Sequence, residues 1–410
     1  MSPSLGSPPE STPVSAARIT PETYRSAMTL LAAVLRTRWA GGDVRTAVAA
    51  CSAAEFAAVV RYHGLAGVLG LHHVPQLKAL APEFLPAIKA LQQAATANTL
   101  RALLGLKSLA VLFDAASLPW LSLKGVALSA WLYGDPNVRA GTDLDVLVDP
   151  EDFPRALEVL RDAGYQVADE ALWFEPRQRA AIMRTRREAS VRSPQGDLAV
   201  DLHFRTEEID DLALPSLRRL LERESVARVS AGGVHVQVPA GDHALRYLAT
   251  HAARSAWLRR KWGYDVLELL CRQGGEGAAF GGGDAPDRMV ALTRAAYARW
   301  LGIHSPERKS IDRHAARGIN VGNRIAASDI ETQTMQFGVP RGLRAWLGWQ
   351  VHLFSILSWR GRAAQAWLFL THLNTSGLSR RALDLATRLP PLALVFRGWN
   401  RIFRRAGRGA

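Results

Sequence analysis

The sequence is poor in cysteine and has no long uninterrupted apolar run. Its 410 residues include two cysteines, Cys51 and Cys271, too few for a disulfide framework or a cysteine-ligated zinc site. Both lie in apolar, helix-like sequence, so we expect buried thiols in a reducing compartment. The longest apolar runs are interrupted by histidine or arginine before they reach the roughly 18 residues that suggest a membrane span. These absences predict a cytoplasmic protein.

The N-terminal stretch also lacks the apolar segment of a secretory signal. Residues 1–20 are rich in serine and proline, and we predict a disordered tail there. This absence agrees with the expected cytoplasmic location.

Acidic residues are outnumbered, with 37 Asp and Glu against 51 Lys and Arg, and the net charge is +14. A basic protein suits anionic partners such as nucleotides, nucleic acid or an anionic membrane surface. Residues 389–410 mix apolar side chains with arginine and form a basic amphipathic tail. Three interpretations of this tail stay open: a solvated surface, a helix docked on the protein's own core, and a peripheral helix on anionic lipid.

Hydrophobic periodicity divides the rest of the chain into three parts. Apolar residues recur at helical spacing over 21–116 and again over most of 241–388. Between them, residues 117–240 follow the order strand, helix, strand, helix, hairpin. The pattern predicts an α+β protein with a small mixed sheet flanked by N-terminal and C-terminal helical regions.

Two carboxylates interrupt an otherwise apolar strand of the predicted core, DLDVLV. Asp143 and Asp145 are two residues apart and should therefore project from the same face of the strand. Adjacent like charges repel and are costly to desolvate, and a divalent cation between them removes that cost. Mg²⁺ prefers such oxygen ligands. The alternative to a metal site is a strand end with solvated acids.

Two further features of the core favour a site. Asp201 shares one face of the strand AVDLHFR with His203 and is a third acid in apolar sequence. Lys124 and Gly125 lie at a strand-to-helix turn, where free helix N–H groups and a glycine can approach a phosphate. Together they predict metal-assisted phosphoryl or nucleotidyl transfer.

These motifs resemble the DNA polymerase-β-like nucleotidyltransferase superfamily, and in particular a family of uncharacterised bacterial nucleotidyltransferases. The family pattern is matched by Leu123-Lys124-Gly125, Tyr133-Gly134-Asp135, Arg139, Asp143-Leu144-Asp145-Val146-Leu147-Val148 and Asp201-Leu202-His203-Phe204. The similarity covers about residues 55 to 272, including the upstream His63-Gly64-Leu65-Ala66. It identifies 117–240 as a nucleotidyltransferase core.

The resemblance implies roles for the matched residues. Asp143, Asp145 and Asp201 would be catalytic and would bind two Mg²⁺ ions, with Asp201 as metal ligand or general base. Lys124 and Gly125 would hold the triphosphate of an NTP, ATP among them. The reaction would transfer NMP to a small-molecule, peptide or sugar acceptor and release pyrophosphate. Characterised members carry Gly-Ser or Gly-Gly where this chain has Lys-Gly, a departure that bears on nucleotide choice.

Two matched residues have alternatives that stay open. Arg139 either neutralises the pyrophosphate leaving group, as a nucleotide-binding residue, or holds its loop by a salt bridge, for example to Asp135. His203 contacts the nucleotide, orients Asp201, or makes a structural hydrogen bond. Asp135 itself is expected to cap the turn before Pro136.

A basic group, Arg254, Arg259, Arg260 and Lys261, falls on the C-terminal helices. We expect a solvated helix face there, with nucleotide or acceptor binding as the alternative.

Three hypotheses on function follow. The first is a Mg²⁺-dependent nucleotidyltransferase. The second is a catalytically weak nucleotide-binding or partner-binding protein of a biosynthetic assembly. The third is a protein that binds nucleic acid or membrane surfaces on an α+β scaffold. Three acids on strand faces favour an enzyme over a binding surface for anions.

Overall fold

The computed structural model describes most of the chain between residues 19 and 371. The described ranges are 19–39, 51–139, 141–273, 284–303, 309–331 and 343–371. The predicted basic tail, 389–410, and nearly all of the predicted N-terminal tail, 1–20, lie outside these ranges.

The helices that precede the sheet follow the predicted helical sequence. They are α1 (Pro21–Arg36), α2 (Ala53–His63), α3 (Ala66–His72), α4 (Val74–Leu80) and α5 (Leu85–Ala115). Ser52 and Glu55 form a capping box at the start of α2, as the sequence predicts. Gly64 ends this helix in the left-handed conformation, with φ of 68°.

The central part of the chain alternates strands and short helices. Its elements are β1 (Trp120–Ser122), α6 (Val126–Tyr133), β2 (Asp143–Val148), α7 (Phe153–Asp162), β3 (Gln166–Val167), α8 (Glu170–Trp173), α9 (Pro176–Ile182), β4 (Glu188–Arg192), β5 (Ala199–His203), α10 (Leu217–Glu222), β6 (Val226–Ala231) and β7 (Val234–Pro239). The predicted strands and the predicted hairpin of β4 and β5 are present. The sequence did not indicate β3, α8 or α9.

The strands form a mixed sheet of order β1-β2-β5-β4-β3, and β6 pairs with β7 in a separate ribbon. β2 runs parallel to β5, and the other neighbouring strands of the sheet are antiparallel. The parallel pair places Asp145 directly beside Asp201. This register brings two acids that are distant in sequence onto one face.

The chain after the sheet is helical in its described part. The helices are α11 (Gly241–Arg254), α12 (Arg260–Arg272), α13 (Ala285–Leu301), α14 (Lys309–Glu331), α15 (Leu343–Ile356) and α16 (Trp359–Thr371). None of the described helices combines the length and apolar character needed to cross a bilayer.

Two apolar cores lie on opposite faces of the sheet. One packs β2 and β5 against α5 and α7, with Val146, Leu202 and Leu157 fully buried. The other joins the site face of the sheet to helices from both ends of the chain, including α1, α2, α11 and α13. The structure therefore confirms an α+β fold with helices on both sides of a small mixed sheet. The boundaries of the five predicted segments stay predictions.

One expectation about the cysteines is wrong. Cys271 is exposed, because it lies in the last turn of α12 on the side away from the core, and Cys51 is only partly buried.

Candidate active site

Asp143, Asp145 and Asp201 lie together on the face of the sheet that meets the C-terminal helices. One carboxylate oxygen from each residue lies within 4.8 Å of those from the other two. The opposite-facing neighbours on β2, Leu144 and Val146, are completely buried in the core. Burial of these alternating side chains fixes the strand, so that the acids project from its other face. We call these three aspartates the acidic cluster.

The donor set of the acidic cluster fits a hard divalent cation. Three carboxylate oxygens at this separation can reach one ion, and Mg²⁺ or Mn²⁺ prefers oxygen ligands. In the absence of such an ion the like charges repel each other. The arrangement is therefore one that a divalent ion stabilises.

Asp145 is the most enclosed member of the acidic cluster, with 2% of its surface exposed. Its Oδ1 atom lies 3.0 Å from Nζ of Lys124 and 3.2 Å from Nε2 of His203. Burial favours the neutral acid, but Lys124 and then His203 outweigh it and hold the pKa of Asp145 well below its usual range. Asp145 is therefore ionised and paired.

Lys124 and Gly125 form the predicted turn between β1 and α6. Burial disfavours the Lys124 ammonium, but the charge of Asp145 outweighs burial and raises the pKa of Lys124. Gly125 has φ of 78°, and a Cβ there would lie 3.7 Å from the backbone oxygen of Asp143. The free helix N–H groups after Gly125 thus begin beside the acidic cluster. The Lys124 ammonium nevertheless contacts the Asp145 carboxylate and does not point into an open site for phosphate.

Asp201 is surrounded by groups from β4 that the sequence analysis did not single out. Ser190 donates a hydrogen bond through Oγ to its Oδ1 atom at 3.0 Å. Burial, then the charges of Glu188 and Asp145, raise the pKa of Asp201 to about 6. Glu188 and Ser190 are two residues apart and lie on one face of β4. This spacing is the sequence signal that could have indicated both as neighbours of the site.

His203 lies between two carboxylates and is 2% exposed. Besides its contact with Asp145, its Nδ1 atom lies 3.1 Å from Oε2 of Glu188. These contacts fit the structural alternative for His203, while contact with a nucleotide stays a prediction.

Arg139 is also buried, and its partner is a residue of α12. Its Nε atom lies 2.7 Å from Oδ2 of Asp265, and Tyr133 donates a 2.7 Å hydrogen bond to the other oxygen of Asp265. The suggested bridge to Asp135 is therefore wrong. Asp135 instead accepts the backbone N–H of Asn137 and caps its turn, as predicted. Among the described residues, neither Nε nor the buried Nη1 atom of Arg139 forms a hydrogen bond, so its contact with Asp265 is an ion pair and Nη1 has no partner.

Lys261 is a second lysine beside the site, and sequence analysis placed it only in a general basic group. Its side-chain carbons pack over Gly64, where a Cβ would lie 2.6 Å from Cδ of Lys261. Within the described ranges, it forms no ion pair. Burial, then Arg259 and Arg139, lower the pKa of Lys261 to about 7, and Asp143 opposes them. We call Arg139, Arg259 and Lys261 the basic cluster.

The expectation of a solvated basic helix face is wrong for two of its members. Arg260 is fully buried and donates to the Trp257 carbonyl and to Asn323, because α13 and α14 cover this side of α12. Arg254 is bound by Glu207 and Glu208. Both arginines therefore serve the fold.

Helix α11 adds the buried Tyr247 and the partly buried His251 next to the acidic cluster. Burial raises the pKa of Tyr247, against the charge of Lys124, and burial lowers the pKa of His251, with Lys124 adding to the effect. His251 also packs edge-on against Trp262, with ring centroids 4.6 Å apart. This helix therefore forms a wall of the site.

A cavity of about 910 Å³ lies between α1, α13 and α14. No member of the acidic or basic cluster lines it. We place the active site by the carboxylate geometry, because concave shape alone carries no chemistry.

One comparison with known proteins found a family. A family model described as an uncharacterised nucleotidyltransferase matches residues 51–279, which is more than half of the chain and contains both clusters. Neither the curated proteins nor the solved structures contain a match to the chain.

Proposed function

The chain belongs to a family of uncharacterised nucleotidyltransferases, and from that premise we propose a Mg²⁺-dependent transfer of NMP from an NTP to an acceptor. The acceptor class is a small molecule, a peptide or a sugar that offers a nucleophile such as a hydroxyl. The polymerase-β-like architecture implied by the sequence motifs agrees with the mixed sheet. The observation that carries the proposal is the convergence of three strand aspartates from β2 and β5.

The reaction exchanges one phosphorus–oxygen bond for another. The acceptor oxygen bonds to the α-phosphorus of the NTP, and the bond from that phosphorus to the bridging oxygen of the β-phosphate breaks. Pyrophosphate leaves, and the acceptor hydroxyl loses its proton. A bound divalent ion would supply Lewis-acid stabilisation of the charge on these oxygens.

The acidic cluster would hold that ion and position the reacting groups. Asp143 and Asp201 are partly exposed, whereas Asp145 is buried behind them. The exposed edges of Asp143 and Asp201 are therefore where substrate oxygens can join the ion. Asp201 is also the carboxylate placed to accept the acceptor proton.

The basic cluster would bind the β- and γ-phosphates. Arg139 keeps one edge on Asp265 and has Nη1 available, and Lys261 has an ammonium without an ion-pair partner in the described chain. Guanidinium and ammonium groups bind phosphate oxygens well when desolvated. The turn at Gly125 would add backbone N–H groups to the same phosphates.

Incubation of the purified protein with Mg²⁺, each labelled NTP and a cell extract tests the proposal. We expect one class of molecule to gain a nucleotide, identified by mass, and pyrophosphate to be released. Asp143→Ala and Asp145→Ala should abolish the transfer while circular dichroism remains unchanged. Full transfer by either variant would overturn the assignment of the acidic cluster.

The second hypothesis, a catalytically weak binding protein, predicts a different outcome. NTP would bind, as followed by calorimetry, without pyrophosphate release under any acceptor condition. The pairing of Lys124 with Asp145 is the observation that favours it, because this pairing removes a phosphate-binding group.

A further inference from the structure

The contacts of Asp145 limit how many ions the acidic cluster can hold. Both Lys124 Nζ and His203 Nε2 contact the same oxygen, Oδ1, at 3.0 and 3.2 Å. A carboxylate that serves two metal ions generally offers one oxygen to each. Asp145 therefore has one oxygen, Oδ2, left for a metal ion.

The position of Lys124 is fixed by its surroundings. Its side chain is 19% exposed, and its backbone carbonyl accepts a 3.1 Å hydrogen bond from Ser122 Oγ. The charge of Asp143 also raises the pKa of this ammonium. The ammonium thus contacts Asp145, one of the acids that a metal ion would contact.

The charges near the site agree with a single ion. Three carboxylates are matched by one divalent ion and one ammonium. Arg139 and Lys261 of the basic cluster would meet part of the charge of a triphosphate. A second divalent ion on Asp145 would lie close to the Lys124 ammonium, at a cost from like-charge repulsion.

We infer that the Lys124 ammonium takes the place of one of the two divalent ions implied by the resemblance, so that the site uses one metal ion and one lysine. This inference rests on the proposed function only for the identity of the site. It also explains why lysine stands where characterised members carry a small residue.

Manganese binding tests the inference without any turnover. We would saturate the protein with Mn²⁺ and a non-hydrolysable NTP analogue, count bound ions by equilibrium dialysis and measure electron paramagnetic resonance. Two ions in one site lie about 3.5–4 Å apart and show spin coupling. We expect one uncoupled ion per wild-type chain and two coupled ions in Lys124→Met. In the nucleotide-free protein, the variant should bind its first ion roughly tenfold more tightly, because a like charge is removed.

Lys107→Met is the matched control, because Lys107 is exposed on α5, and it should keep one ion. Two coupled ions in the wild-type protein would overturn the inference, even if Lys124→Met failed to fold. One ion in a folded Lys124→Met would overturn it as well. If one Mn²⁺ binds through Asp143 but no NTP is ever turned over, the proposed function fails and the inference stands. If the wild-type chain binds no ion at all, both fail.

Discussion

The acidic cluster and the basic cluster are close enough for Asp143 to act on Arg259 and Lys261, but the two clusters balance their charges differently. Of the acids, Asp145 is paired with Lys124 and His203, whereas Asp143 forms no ion pair with another described residue. Of the bases, Arg139 is paired with Asp265, whereas Lys261 has no ion-pair partner in the part of the chain that the structure describes. Each cluster therefore contains one charge that is held in an ion pair, which we call anchored. It also contains one charge without an ion-pair partner among the described residues, which we call available.

This difference separates the charges that hold the fold from those available to a ligand. Asp143 and Lys261 are only partly exposed, so a charge without an ion-pair partner is costly at either position, and a bound ligand of opposite charge recovers that cost. Asp143 is then available to bind a cation, and Lys261 is available to bind an anion. A metal complex of a triphosphate carries both charges.

The largest effect is expected from breaking an anchored pair. Asp265→Ala would leave Arg139, which is 4% exposed, and the Tyr133 hydroxyl without their partner. We expect a loss of about 3–5 kcal/mol in the free energy of unfolding. Asp143→Ala, by contrast, should leave that free energy unchanged or raised, because it removes repulsion within the acidic cluster. Urea denaturation without metal measures both variants.

Equal losses in these two variants would contradict the distinction between anchored and available charges. A large loss in Asp143→Ala alone would make the acidic cluster a structural element. In either case the interpretation of Asp143 as a metal ligand would fail.

A smaller effect is expected from removing the available cation. Lys261→Met should raise the apparent KM for the NTP and weaken inhibition by pyrophosphate, each by about tenfold, because one charged hydrogen bond to phosphate is lost. Stability should not fall, since methionine keeps the apolar stem that packs over Gly64. Lys107→Met again serves as the exposed control. An unchanged KM together with unchanged pyrophosphate inhibition would remove Lys261 from the phosphate site.

The local parts of the fold and site could be predicted from sequence. The alternation of Asp143 to Val148, the hairpin of β4 and β5 and the capping box at Ser52 each depend on residues close in the chain. These signals were enough to place the three acids on strand faces. The two-residue strand β3 was missed because it is too short to show any alternation.

The partners of the site residues could not be predicted, because they depend on packing between distant segments. The parallel register of β2 and β5 decides that Asp145 lies beside Asp201. Asp265, 126 positions after Arg139 in the chain, reaches it only because α12 packs against α6. The packing of α13 and α14 over α12 likewise makes Arg260 a buried residue, where the sequence predicts a surface one. A basic run in a sequence does not distinguish anchored, buried and available cations.

A further effect is expected in the pH dependence of stability. In the unfolded chain Lys261 keeps its proton up to about pH 10.4, whereas in the folded chain burial, Arg259 and Arg139 lower its pKa to about 7, against Asp143 and Asp265. Between these values the folded state binds fewer protons, so its stability rises with pH. We expect the wild-type chain to gain free energy of unfolding relative to Lys261→Met as pH rises from 7 to 9, measured by urea denaturation at each pH. If the difference in free energy of unfolding between the two proteins does not change with pH, Lys261 is solvated in the folded protein. The distinction between anchored and available charges would then not hold for the basic cluster.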